Sequence, residues 1–311
     1  RSQVPGTAHM RNESQCTSVS TLGSLYTMWP RSLREEGRER AGKSFSFSSV
    51  AGLTAAVGTM SGCAPASAIA KETETEALKD DAGTAAPGFF RRLDESADED
   101  FYSEPRFVEH IDANAVAALT RYHERVLRDL ATDLGGPVSV LDVCSSWVSH
   151  LGRDYGPGKS AHVVGVGMNE AELKRNPALN QYYVQNLNLD PQLKVAPGSF
   201  DAALIQFSID YLTRPVEVLQ SIATLVRPGG KLFLSFSNRV FITKAVAGWT
   251  GASDDTHADI CIELIQRAGA FDPNSIAVET LVRPGQRGKD PLFVVSASVR
   301  REGFLRDAVS I

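Results

Sequence analysis

The chain is poor in several things that would have announced a function. Four cysteines occur in 311 residues (Cys16, Cys63, Cys144 and Cys261), and no two stand at a metal-ligand spacing. That excludes a zinc module and a disulfide-dense secreted scaffold, and leaves Cys144 and Cys261 as reduced, buried thiols. No apolar run reaches the roughly 18 residues of a membrane span. Positive charge is scarce in the main body. Residues 1–70 carry seven Lys/Arg and four Asp/Glu, a balance of +3, so a net charge of −5 leaves −8 for the rest. An acidic body speaks against a nucleic-acid partner, because phosphate binding needs clustered cations. Glycine is also missing where a nucleotide fold most often uses it, directly after the first strand of the sheet. What is present, 42% apolar and 22% charged residues, is enough for a sizeable core.

The first forty-odd residues are rich in Ser, Thr and Arg without hydrophobic periodicity. An apolar, small-residue stretch over 50–65 follows Arg38, Arg40 and Lys43 and ends in the A-x-A-like ASAIA at 66–70. Basic flank, apolar middle and small-residue site describe a cleavable targeting signal. The extension upstream makes it similar to presequences that route proteins into plastids, the thylakoid lumen among the destinations. Met10 and Met28 are alternative starts. A leader without an address is the competing reading. Residues 71–100 are acidic and interrupted by Gly83, Pro87 and Gly88, which reads as a solvated linker with only Phe89 and Phe90 able to dock.

From residue 101 the pattern is that of one α/β domain, 101–311. The segment 101–112, FYSEPRFVEHID, mixes aromatics with charges and is expected to wrap the domain or lid a cleft. A helix is expected over 113–134, with Val116, Leu119, Val126, Leu127, Leu130 and Leu134 on one face, Asp112 as its cap and Gly135-Gly136-Pro137 as its stop. Strands follow at 138–143, 161–166, 182–187, 199–207 and 231–236. Helices are expected at 169–175, capped by Asn169, at 215–226 and at 255–268. Two final strands, 275–281 and 292–299, have no clear helix between them. Alternating strands and helices imply a three-layer, Rossmann-like sandwich: a mostly parallel seven-stranded sheet ending in an antiparallel C-terminal edge pair.

Residues 199–238, SFDAALIQFSIDYLTRPVEVLQSIATLVRPGGKLFLSFSNR, carry a specific signature. A strand opens on Phe200-Asp201, a helix runs to Leu225-x-x-Pro228-Gly229-Gly230, and the next strand begins at once. In this the chain resembles class I S-adenosylmethionine-dependent methyltransferases of the type-11, quinone-biosynthesis-like kind, over about 138–300. The wording CSSWVSH and GMNEAELKRNPAL also resembles uncharacterised methyltransferase-like proteins of plants and algae.

The resemblance implies S-adenosyl-L-methionine as cofactor and transfer of a methyl group to a small-molecule or lipid-like acceptor. It also shows where the chain departs from the family. After the first strand the family has Asp/Glu-x-Gly-x-Gly-x-Gly; here Asp142 is kept and the glycine positions are Cys144, Ser146 and Val148. The ribose carboxylate position is Gly167, with Asn169 or Glu170 as substitutes. The adenine-side acid is Asn186, whose carbonyl can still accept. By the same resemblance the cofactor crevice is assigned to Asp142, Cys144, Ser145, Ser146, Trp147, Gly167, Met168, Asn169, Asn186, Leu187 and Gln206. Asp210 as base and Tyr211 as pocket wall take the acceptor side.

Each residue has a plainer reading: Asp142 ordering a loop, Trp147 and His150 packing, Asp210 capping, Gly229 and Gly230 turning the chain. Asn238, Arg239 and His257 are weaker candidates for substrate contact. Two other functions stay open. One is a pseudo-enzyme that uses the fold to bind or assemble with a protein partner, motivated by the lost glycines. The other is a nicotinamide enzyme, which the absence of G-x-G-x-x-G disfavours.

Overall fold

A computed structural model describes residues 88–196 and 200–301. The expected leader and the first part of the acidic linker lie outside the described residues.

The long amphipathic helix, α2 (Ala113–Leu134), forms as its periodicity demands, after a one-turn helix α1 (Asp98–Phe101). The Asp112 carboxylate accepts from the backbone N–H of Asn114 and Ala115, and Gly135 ends the helix in the left-handed region at φ 66°. Helix α3 (Glu170–Arg175) is capped in the same way, Asn169 Oδ1 accepting from Ala171 and Glu172.

Seven strands make one sheet: β1 (Ser139–Val143), β2 (His162–Gly167), β3 (Gln181–Val184), β4 (Phe200–Gln206), β5 (Val226–Phe236), β6 (Ala277–Val282) and β7 (Leu292–Ser298). Their order is β3-β2-β1-β4-β5-β7-β6, with β1 to β5 parallel and β7 antiparallel to both its neighbours. The expected antiparallel C-terminal edge pair is present, with β7 inserted between β5 and β6. Composition explains the order. β7 is apolar and mostly buried, whereas Ala277, Val278, Glu279 and Thr280 of β6 leave much of that strand exposed, so β6 takes the rim.

Side chains alternate across the sheet into two cores. Val140, Val163, Leu204 and Val294 face Leu119 and Leu127 of α2. Leu141, Val143 and Ile205 face the opposite layer, Ile222 of α4 (Pro215–Leu225) and Cys261 and Leu264 of α6 (Asp254–Ala268). Each fully buried leucine or isoleucine contributes about 1.5–3 kcal/mol.

The Phe-Asp and Pro-Gly-Gly signatures prove to be one structural device. Asp201, 2% exposed, accepts from Ser139 N at 2.8 Å and pairs with Arg227 Nη1 at 2.8 Å, tying the starts of β1, β4 and β5 together. A Cβ on Gly230 would lie 2.5 Å from Val226 Cγ1 and 2.7 Å from the Asp201 carbonyl oxygen, so only glycine fits.

The solvated-linker reading of residues 88–100 is corrected. Phe89 and Phe90 do dock, and the charged residues after them dock too. Arg92 bridges to Val246, and Gly248 N donates to Phe89 O, at the short helix α5 (Ala247–Thr250). Asp98 is buried between Arg92 Nη1 (2.6 Å), Asn188 Nδ2 (2.9 Å) and Lys244 Nζ (3.4 Å). Lys244, itself fully buried, also reaches Asp94 at 3.3 Å and donates to the Ser96 carbonyl at 2.7 Å. Acid that composition assigns to solvent is matched by a buried cation instead. Residues 88–112 thus form a strap running across the carboxyl ends of the strands.

Candidate active-site cleft

A cleft opens above β1, β2 and β4, roofed by strap residues 102–111. Between β1 and β4 the strand order reverses, which is where an open α/β sheet leaves a crevice. Of the crevice residues expected from the sequence, all eleven line this cleft, as does Tyr211.

Asp142 organises the floor. Its Oδ2 accepts from Ser145 Oγ (2.7 Å) and Ser149 Oγ (2.6 Å), and its Oδ1 from Gln206 Nε2 (3.1 Å). Burial pushes its carboxyl above the usual range while these donors pull it back. Asp142 is thus engaged by the chain, holding the loop against the end of β4.

The missing glycines are replaced in two ways. Cys144, at the first glycine position, itself takes the left-handed conformation at φ 59°. Burial holds its thiol protonated, pushed up to about 12. Val148, at the third, does not adopt a positive φ; the left-handed residue comes two later, His150 at φ 47°. Ser146 Oγ donates to Glu172 Oε2 at 2.6 Å, and Trp147 Nε1 donates to Val108 O of the strap at 3.2 Å. Trp147 is therefore wall and tie, edge-on to Phe107.

At the end of β2 the loop packs directly on the strand. A Cβ on Gly167 would lie 2.1 Å from the Ser145 carbonyl oxygen, so no acidic side chain fits there. Nor do the suggested substitutes replace it. Asn169 spends its carbonyl on the α3 cap and its amide on Tyr102 O and Ser103 O, and Glu170 pairs with Lys174 outside the cleft. Met168 contributes lining alone. Asn186, on the turn after β3, donates to Glu99 Oε1 at 2.8 Å and accepts from Asn188 N at 2.9 Å, keeping one carbonyl lone pair. Leu187 beside it is buried.

Asp210 is a correction. It lies in a 3-10 turn (Ile209–Tyr211), is 4% exposed and does not line the cleft. Burial pushes its carboxyl up to about 7, and its charge is felt by Cys261 in the core and by Tyr102, Cys144 and Tyr211 of the cleft lining. Tyr211 does line the cleft, its hydroxyl accepting from Phe241 N at 2.9 Å. Arg239 pairs with Asp290, and His257 bonds Trp249 O; neither lines the cleft, and Asn238 does not either.

On the opposite wall, the sequence reading weighed His150 as packing and expected 101–112 to lid a cleft, without singling out Glu109 or His110. His150, Glu109 and His110 line it with Phe207 and Phe241. The Cys144, His150 and Phe207 backbones are the non-glycine residues with positive φ among the described residues, and all three face this cleft. Such strain gathers at functional sites. Two buried polar atoms of the lining lack partners, Gln206 Oε1 and His150 Nδ1. An amide oxygen can only accept, so Gln206 Oε1 is a buried acceptor without a donor.

A family of proteins described as "Methyltransferase domain" matches residues 143–234. That stretch, from the end of β1 into β5, is therefore similar to a methyltransferase domain. The ubiquinone biosynthesis O-methyltransferase of Aeromonas salmonicida (strain A449) is 34% identical over 86 residues, 26% of this chain and 36% of that protein. The protein of the same name from Xanthomonas euvesicatoria pv. vesicatoria (strain 85-10) is 39% identical over 51 residues, 16% of this chain and 21% of its own length. The chain thus spans about a third or less of these curated relatives. A putative S-adenosylmethionine-dependent methyltransferase from Listeria monocytogenes aligns with TM-score 0.41 and 12% identity, over 61% of this chain and 100% of that one. S-adenosyl-L-methionine is the cofactor of the methyltransferase family.

Proposed function

We propose that this methyltransferase moves a methyl group from S-adenosyl-L-methionine to the oxygen of a small-molecule or lipid-like acceptor. The observation that carries the reading is the unpartnered Gln206 Oε1 in a cleft at the reversal point of the sheet. It suits the ammonium end of the cofactor. Cys144 and Ser145 would border the methionine part, and Met168, Asn186 and Leu187 the nucleoside. The cofactor supplies an electrophilic methyl on a sulfonium. The chain binds it, lines its path with Tyr102, Tyr211 and Phe207, whose ring faces suit a cation, and excludes water beneath the strap. The curated relatives' name supports oxygen as the acceptor atom.

Titration of the full chain with S-adenosylhomocysteine tests this reading. Ligand at 100 times its dissociation constant should stabilise the protein by about 2.7 kcal/mol, seen as a higher melting temperature. No heat and no thermal shift at millimolar ligand would sink it. One observation favours a second reading, a fold retained for binding or assembly: the Gly167 position has no room for a ribose carboxylate. Purification with a stable protein partner, without any bound nucleoside, would favour it. We also propose that residues 1–70 act as a plastid leader, which sequencing the amino terminus of the mature protein would test.

A further inference from the structure

Resting on the methyl-transfer reading, we propose that Arg106 of the strap anchors a carboxylate carried by the methyl acceptor, so that the substrate is an organic acid. Arg106 is the one arginine or lysine among the described residues that line the cleft. Its guanidinium lies over two rings, with Cζ 4.5 Å from the centre of Phe101 and 5.7 Å from that of Phe241. Nη2 donates to the Phe101 carbonyl at 2.9 Å, and the backbone N–H donates to Glu172 Oε1 at 2.6 Å. The group is half-buried and held in place, with the other donors of its fork left over.

Four acids line the cleft, and none neutralises it. Asp98 is taken by Arg92, Asn188 and Lys244, and Asp142 by Ser145, Ser149 and Gln206. Glu172 accepts from Ser146 Oγ and from the Arg106 backbone rather than from the guanidinium. Glu109, the fourth, faces His150 Nε2 at 3.9 Å. The positive charge is felt by its neighbours instead. Burial foremost lowers the pKa of His110; Glu172 opposes that and Arg106 adds to it. Tyr102 is pushed up chiefly by burial, with Arg106 pulling it back. A guanidinium without an acid, partly desolvated between rings, recognises a carboxylate through two parallel N–H···O bonds.

Position assigns that carboxylate to the acceptor rather than to the cofactor. Phe241 follows β5, stands 6.0 Å from the Tyr211 ring and 5.4 Å from that of His110, and its N–H reaches the Tyr211 hydroxyl. This end of the cleft lies past β4 and β5, whereas the methionine part of the cofactor is read at Cys144 and Ser145, just after β1. The walls there, Tyr102, Tyr211 and Phe241, suit a flat apolar body. A carboxylate fixed on the roof would orient the acceptor ahead of methyl transfer. It would also reject uncharged analogues, which leave the guanidinium unpaired.

The test is calorimetric, on the full chain with and without S-adenosylhomocysteine, using benzoate and benzamide as probes of nearly equal shape that differ in charge. Benzoate should bind at least about 10-fold more tightly than benzamide. Arg106→Gln should erase that preference, whereas Arg106→Lys, which keeps the charge but loses the fork, should retain part of it. The native comparison needs no variant, so it decides even where a substitution loosens the strap. Equal binding of the two probes, or no binding of either at millimolar concentration, overturns the proposal. So does a preference that survives in Arg106→Gln. The source of the carboxylate is read with 5′-methylthioadenosine, the nucleoside thioether without the amino-acid end. If Arg106→Gln weakens S-adenosylhomocysteine about 10-fold but leaves 5′-methylthioadenosine unchanged, the guanidinium serves the cofactor and the proposal is overturned. If S-adenosylhomocysteine does not bind while benzoate is still preferred, the methyl-transfer reading falls and the anion site stands.

Discussion

Asp210 is a buried acid set just behind the cleft lining. It sits beside Tyr211 at the end of β4; its carboxyl does not itself line the cleft, bonds the Tyr211 side chain and is pushed up to about 7 by burial. The sign of its effect on stability is definite. Between the unfolded value near 3.8 and the folded value near 7, the native state holds a proton that the unfolded chain has lost. Its contribution is therefore complete below pH 4 and is lost as pH rises through 7. His123 and His150, both pulled down to about 4, act oppositely, costing stability as pH falls below 6.5. Asp210→Asn isolates the first effect. It should stabilise the protein at pH 8 by roughly 2–4 kcal/mol and change little at pH 4, read by denaturant melts at the two pH values. A loss of catalysis without that gain would return Asp210 to the reaction.

At the scale of elements, the strap and its clamp decide whether the cleft is roofed. Lys244 has no exposed surface and holds Asp94, Asp98 and Ser96 together. Lys244→Met should leave Asp98 with Arg92 and Asn188 but lacking its buried cation, at a cost of about 3–5 kcal/mol. Hydrogen exchange should rise over residues 92–103 while β1 and β4 stay protected. Equal loss of protection across the sheet would mean that Lys244 serves the core and not the strap. The strap was also the least legible element. Helix α2 and its Asp112 cap, the Asn169 cap and the Phe-Asp to Gly-Gly block could be read because periodicity and capping are local. Residues 88–100 have no periodicity, and their acids read as solvated until Lys244, some 150 positions away, is placed beside them. His150 was read as packing, and its backbone conformation was hidden for the same kind of reason. Nothing in SSWVSH signals a left-handed histidine, because the third family glycine has been displaced rather than merely substituted. The insertion of β7 between β5 and β6 could have been anticipated from its more continuous apolar run.

At the scale of the whole molecule, the domain begins earlier than its composition suggests. A chain started at residue 101 keeps all seven strands yet lacks Arg92, Asp94 and Asp98, leaving Lys244 buried without its acids. Compared with a chain started at residue 88, it should melt at a lower temperature and bind S-adenosylhomocysteine more weakly. Equal melting and binding would show that the strap's first half is dispensable. Among the described residues no helix is long and apolar enough to cross a membrane.

Because Trp147 is tethered to the strap through Val108 and Asn186 through Glu99, the roof grips both banks of the crevice at once. A nucleoside entering the crevice would pass between those two moorings. Cutting either tie, by Trp147→Phe or Asn186→Ala, should raise hydrogen exchange in the strap on that bank alone.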